Sequence, residues 1–176
     1  MKNESNKEPL QPGNMSNTLI KTLIDNYRQN HLSAINNTLE IKDAHSIWFD
    51  LPKLKRFIAT IEEETLKQNP DCTEEDLGIR FYYAAYPHAE NWSIMDSHPV
   101  PVEYAGKHTL VLVPTLKKEN ETGEKLHYDF NVMNKDDDSI ALALNARGKM
   151  TELTDITIGE NSGTLIPPAP PTGESY

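Results

Sequence analysis

The sequence predicts a single α+β domain: a mixed, mainly antiparallel sheet of four or five strands with two helices on one face. Three observations carry this expectation. Leu51, Leu54, Phe57, Ile58 and Ile61 recur at helical spacing. Residues 79–86 and 126–132 alternate with the period of two that marks a strand. Leu110, Val111, Leu112 and Val113 are apolar on both faces, as an interior strand requires. A chain of 176 residues suits one domain of two packed layers.

Residues 1–15 are polar and contain Pro9, Pro12 and Gly13, so a disordered leader is expected there. The domain proper is expected over residues 16–166. Ser16 or Asn17 can cap a first helix, whose stripe is Leu19, Ile20, Leu23, Ile24 and Tyr27 and which continues through His31, Leu32 and Ile35 until Asn36 and Asn37 stop it. AHSIWF (44–49) reads as a short strand. Asp50 caps the second helix, and Pro52 falls in its first turn, where a missing amide hydrogen costs little. Phe57 and Ile58 should both be core.

GIRFYYAAYPHAENW (78–92) holds five of the chain's thirteen aromatic residues. Alternation puts Ile79, Phe81 and Tyr83 on one face and Arg80, Tyr82 and Tyr86 on the other. The first face should be core; the second should lie toward the loop 88–107 and stay partly accessible. The order strand, helix, strand is compatible with one right-handed parallel unit. HTLVLVPT (108–115) and LHYDFNV (126–132) suggest a hairpin around Asn120–Gly123. IALAL (140–144) fits either strand or helix, and LTDITI (153–158) reads as a last strand. The tail, residues 167–176, is Pro-rich and should be extended.

The net charge is −10, and residues 119–176 carry 11 acidic against 4 basic residues. Like-charge repulsion argues against nucleic acid and anionic lipid as partners and favours a basic protein partner or cations, or nothing beyond solubility. With one cysteine, Cys72, no intrachain disulfide can form, and a reducing, cytoplasmic setting is expected. No apolar run suggests a secretory signal or a membrane span.

SIWFDLPKLKRFI (46–58), DLGIRFYYAAYP (76–87), AGKHTLVLVPT (105–115), ALNARGKMTE (143–152) and ENSGTLIPP (160–168) fall in an order that resembles a group of small proteins encoded in Bacteroidetes-type bacterial genomes. The resemblance spans roughly residues 18–168. The group has no established activity, so the resemblance implies no catalytic residue. Its members tend to have His where this chain has Ser162, and often Cys just before the paired prolines, where this chain has Ile166. A metal site built on those side chains would be lost here.

No cofactor motif occurs, and none is expected to bind. The histidines are His31, His45, His88, His98, His108 and His127, and no pair has metal spacing. His108 and His127 would face each other across the hairpin. His88 and His98 share their loop with Asp96, a conceivable general-base or metal set, although surface histidines are commoner. NKDDDS (134–139) starts like a calcium loop but has Ser139 and Asn145 where Gly and Glu are needed. Cys72 sits among carboxylates that disfavour a thiolate. The residues most suited to recognition are Arg80, Tyr82, Tyr86 and Trp92, because Tyr, Trp and Arg are enriched in binding hot spots. A non-enzymatic interaction or accessory module, acidic and suited to a basic partner in the manner of immunity proteins or chaperones, is therefore expected. The alternative is a small hydrolase or metal-dependent enzyme using His88, Asp96, His98, His108 or His127.

Overall fold

Among the described residues, five antiparallel strands divide between two small sheets, and one helix packs on the larger of them. The computed structural model describes residues 11–131, 157–169, 173 and 176. The leader up to residue 10, the calcium-like run, the IALAL segment, most of LTDITI and half of the tail lie outside the described residues.

Helix α1 (Asn17–Asn26) starts where Ser16 accepts the Leu19 amide at 3.2 Å. It runs through a π-helical stretch, Tyr27–Leu32, into α2 (Ser33–Leu39). The two asparagines do not stop it. Asn36 instead uses its side-chain oxygen to accept the Asp43 amide at 2.9 Å, and the chain turns at Glu40, whose φ is 53°. None of the α1 residues is buried, so the expected second covering helix does not cover the sheet.

Strand β1 (Ser46–Trp48) pairs with β5 (Thr164–Ile166), Ile47 opposite Leu165. This pairing corrects two expectations. The strands do not join one sheet, and β1, α3 and β2 do not form a parallel unit, because the long-range partner of β1 takes it into a sheet of its own.

Helix α3 (Leu51–Gln68) is capped as its sequence predicts, with Asp50 accepting the Lys53 amide at 3.1 Å. Its buried stripe is Phe57, Ile61 and Thr65, each four residues from the last. Ile58 is 43% exposed, one step round the helix from that stripe, so the expectation that it is core fails.

Strands β2 (Leu77–Ala85), β3 (His108–Glu119) and β4 (Lys125–Asp129) form the second sheet in the order β2–β3–β4. The β3–β4 turn is built by Asn120, whose side-chain oxygen accepts the Thr122 and Glu124 amides at 3.0 and 2.8 Å, and by Gly123 at φ 80°. Phe57 and Ile61 pack on Leu112 of β3, with Leu54, Leu77, Ile79 and Ile158 around them. Cys72, Leu116 and Phe130 extend this core. A separate cluster of Ala44, Tyr86, Tyr104 and Leu165 lies under the loop 88–107, which contains two short 3₁₀ turns, Ala89–Met95 and Val102–Tyr104.

The small sheet is held close to the segment before β5. A Cβ on Gly163 would sit 2.5 Å from Ile47 Cγ2 and 2.8 Å from the Phe49 ring. Phe57→Ala should cost about 3–5 kcal/mol, as for other emptied aromatic core sites, and Ile58→Ala less than about 1 kcal/mol. Gly163→Ala should cost about 1–3 kcal/mol through overpacking. Denaturant unfolding of the three variants reads all three values.

Candidate functional site

Among the described residues, strand β2 lies at the edge of its sheet, and its ring-bearing half is the most exposed apolar surface on it. Register sets the two faces. Arg80 and Tyr82 sit opposite Val113 and Val111, whereas Ile79, Phe81 and Tyr83 sit opposite Pro114, Leu112 and Leu110, on the α3 side. The sequence therefore assigns each residue to the correct face, but the coverage differs from expectation. Tyr83 is 89% exposed and Phe81 53%, because the α3 core packs along β3 at Leu110 and Leu112 and reaches β2 only at Leu77 and Ile79. Their assignment to the core is corrected accordingly.

On the opposite face Arg80 and Tyr82 converge on Asp129 of β4. Arg80 Nη1 donates to Asp129 Oδ1, Arg80 Nη2 donates to the His127 carbonyl at 2.8 Å, and the Tyr82 hydroxyl donates to Asp129 Oδ2. The charge of Arg80 is thus neutralised within the fold. Asp129 was legible in part, since alternation turns it and His127 to one side of β4. Tyr82 remains 41% exposed.

Tyr86 and Trp92 do not join this surface. Tyr86 is only 4% exposed, with its hydroxyl donating to the Asn161 carbonyl at 3.1 Å and its ring against Trp92 and Tyr104 at centroid distances of 6.1 and 5.7 Å. Burial pushes the phenol above its ordinary pKa, and Tyr104 and Glu160 push the same way. The loop 88–107 folds over Tyr86 and buries it, which contradicts the expected accessible position.

The histidine candidates stay apart. His108 pairs with Ala85 and His127 with Lys117, so they occupy opposite faces about 30 Å apart along β3 and do not face each other across the hairpin. His88 is exposed next to Gly106, Asp96 ends a 3₁₀ turn, and His98 lines a shallow depression with Met95, Val111 and Glu160. Among the described residues, no three His, Cys, Asp or Glu side chains come together as a metal-binding group.

Two polar clusters escaped the sequence reading. Asp43, its side chain fully buried, accepts the His108 and Ala44 amides at 2.7 and 2.8 Å through Oδ1 and meets His108 Nδ1 through Oδ2. The carboxylate fastens the chain before β1 to the start of β3. Elsewhere Lys53 Nζ donates to the Ser162 carbonyl and to Ser162 Oγ, both at 3.0 Å, while the Ser162 hydroxyl and amide donate to Glu160. The Ser162 hydroxyl directs its own proton to Glu160 rather than to Lys53. The cluster ties residues 160–163 to the first turn of α3. Neither cluster has a local sequence signal, because each joins residues distant along the chain.

No family model, curated protein or solved structure matches the chain. Among the described residues, no helix is long and apolar enough to cross a membrane.

Tyr86→Phe should cost about 0.5–1.5 kcal/mol, the net value of one hydrogen bond, and Tyr83→Ser less than about 0.5 kcal/mol, as for a surface change; denaturant midpoints separate them. Burial, assisted by Asp76, raises the Cys72 thiol above its ordinary pKa and so reduces its thiolate fraction at neutral pH. Alkylation of the folded protein by iodoacetamide should be at least about tenfold slower than that of the urea-unfolded chain.

Proposed function

We propose that the protein is a non-enzymatic binding module that takes a protein partner, of basic character, on the ring-bearing half of β2. The observation that carries this reading is the exposure of Phe81 and Tyr83 side by side on one face of an edge strand. Contiguous exposed rings are costly to leave in water, and in monomeric proteins such patches mark interaction sites. Tyr and Phe offer large contact area with few rotatable bonds, so ordering them on binding costs little entropy. Net charge −10 favours a basic partner and opposes nucleic acid and anionic membranes. The buried, unpaired Cys72 suits a reducing, cytoplasmic setting.

A second reading, hydrolysis at His108, draws on the buried Asp43 carboxylate that holds the imidazole. That carboxylate also accepts two backbone amides, which explains it as a structural anchor without any substrate.

Combined Phe81→Ser and Tyr83→Ser should lower affinity for the partner isolated from the native cells by about 2 kcal/mol or more per ring, while moving the denaturant midpoint little. A variant that unfolds but binds as well as the native chain when refolded contradicts the reading.

A further inference from the structure

The backbone of β3 fixes which amides of β2 are already used. Leu112 exchanges backbone hydrogen bonds with Glu160 at 2.9 and 3.1 Å, and the Phe130 amide donates to the Pro114 carbonyl at 3.1 Å. Even-numbered residues in this part of β3 therefore turn their N–H and C=O away from β2. The odd-numbered ones bond to β2, and register pairs them with Gly78, Arg80, Tyr82 and Ala84. The Tyr86 amide, donating to the Lys107 carbonyl at 2.9 Å, keeps the same phase. Ile79, Phe81, Tyr83 and Ala85 accordingly point their N–H and C=O outward. Among the described residues no strand bonds to that edge.

These same residues carry their side chains on the α3 side. There the edge borders a groove of about 260 Å³ floored by Ile58, Ile61, Leu77 and Ile79, with Glu62 and Glu74 also lining it. An open edge of this length, without proline or bulge, is a template for another strand. The chemistry beside it selects for cations. A lysine or arginine stem can lie along the isoleucines with its head at Glu62 or Glu74, and a second can lie over the Phe81 or Tyr83 ring. Arg80, held by Asp129, does not oppose this. A second copy of this chain fits less well, since each copy brings net charge −10 and its own Glu62 and Glu74.

We propose that the outward edge of β2 takes an extended segment of a protein partner as a fourth strand, with Lys or Arg at alternate positions facing α3. This rests on the reading of β2 as the binding surface and specifies the mode and the ligand chemistry. Backbone bonds would supply affinity, and the alternate cations specificity.

The test uses the full chain and an acetylated eight-residue peptide alternating lysine and threonine, with a glutamate–threonine peptide as control. Residue-resolved amide exchange is the readout. The lysine peptide should bind saturably and slow exchange at Ile79, Phe81 and Tyr83, leaving Arg80 and Tyr82 unchanged. Phe81→Pro, which removes one outward N–H, should weaken binding about tenfold or more. Tyr83→Ser, at a fully solvated ring, guards against a folding artefact and should weaken it several-fold. Glu62→Lys with Glu74→Lys should reverse the preference toward the glutamate peptide. Absence of saturable binding, binding without protection of the outward amides, or equal binding of both peptides overturns the proposal. So does a peptide-free dimer whose outward amides are already protected. If the serine variants lose the native partner while the edge amides stay unprotected in its complex, the binding reading stands and strand addition falls.

Discussion

The packing of Phe57 and Ile61 onto Leu112 is the contact on which the rest of the structure depends. It joins α3 to the middle of the central strand, and both other strands of the larger sheet take their place from β3. It also sets what is left uncovered. The buried stripe of α3 is spaced every four residues and is therefore narrow. Placed over Leu112, it shields Leu77 and Ile79 and leaves Phe81 and Tyr83 in water. The exposed rings are thus a consequence of where the helix is anchored, not of an irregularity in β2. The helices at residues 17–39 bury only Leu32 and do not compensate.

Two further constraints close the fold over the other end of β2. The buried Asp43 carboxylate draws the chain before β1 onto the start of β3, and Gly163 lets β5 approach Ile47 and Phe49. Together they seat the small sheet near Tyr86, Tyr104 and Leu165, where the loop 88–107 completes a second core. Rings three residues apart therefore meet opposite fates. Tyr86 becomes structural, and Tyr83 is left bare.

The division between what the sequence discloses and what it withholds follows the range of the interaction. Asp50, Pro52 and the apolar stripe of α3 are local signals, and the helix is legible from them. So are the alternation of β2, the doubly apolar run of β3 and the Asn120–Gly123 turn. Alternation names the face a side chain takes but not whether that face is covered, which is why Phe81 and Tyr83 read as core. The pairing of Ile47 with Leu165 is long-range, and nothing local marks residues 164–166 as a strand. Asp43 and His108 are 65 residues apart, and nothing local marks either as the other's partner. Of the candidate surface, the common face of Arg80 and Tyr82 was legible. Trp92 and Tyr86 were misplaced because a loop without a period gives no sign of what it folds over.

Anchored on Leu112, α3 leaves β2 with one bonded edge and, among the described residues, one bare edge. Native-state amide exchange of the isolated chain addresses it directly. The account predicts an alternation: slow exchange at Arg80, Tyr82 and Ala84, whose amides are bonded to β3, and fast exchange at Phe81, Tyr83 and Ala85. Uniform protection along residues 79–85 would contradict it, because it would mean that another segment already bonds the outward edge.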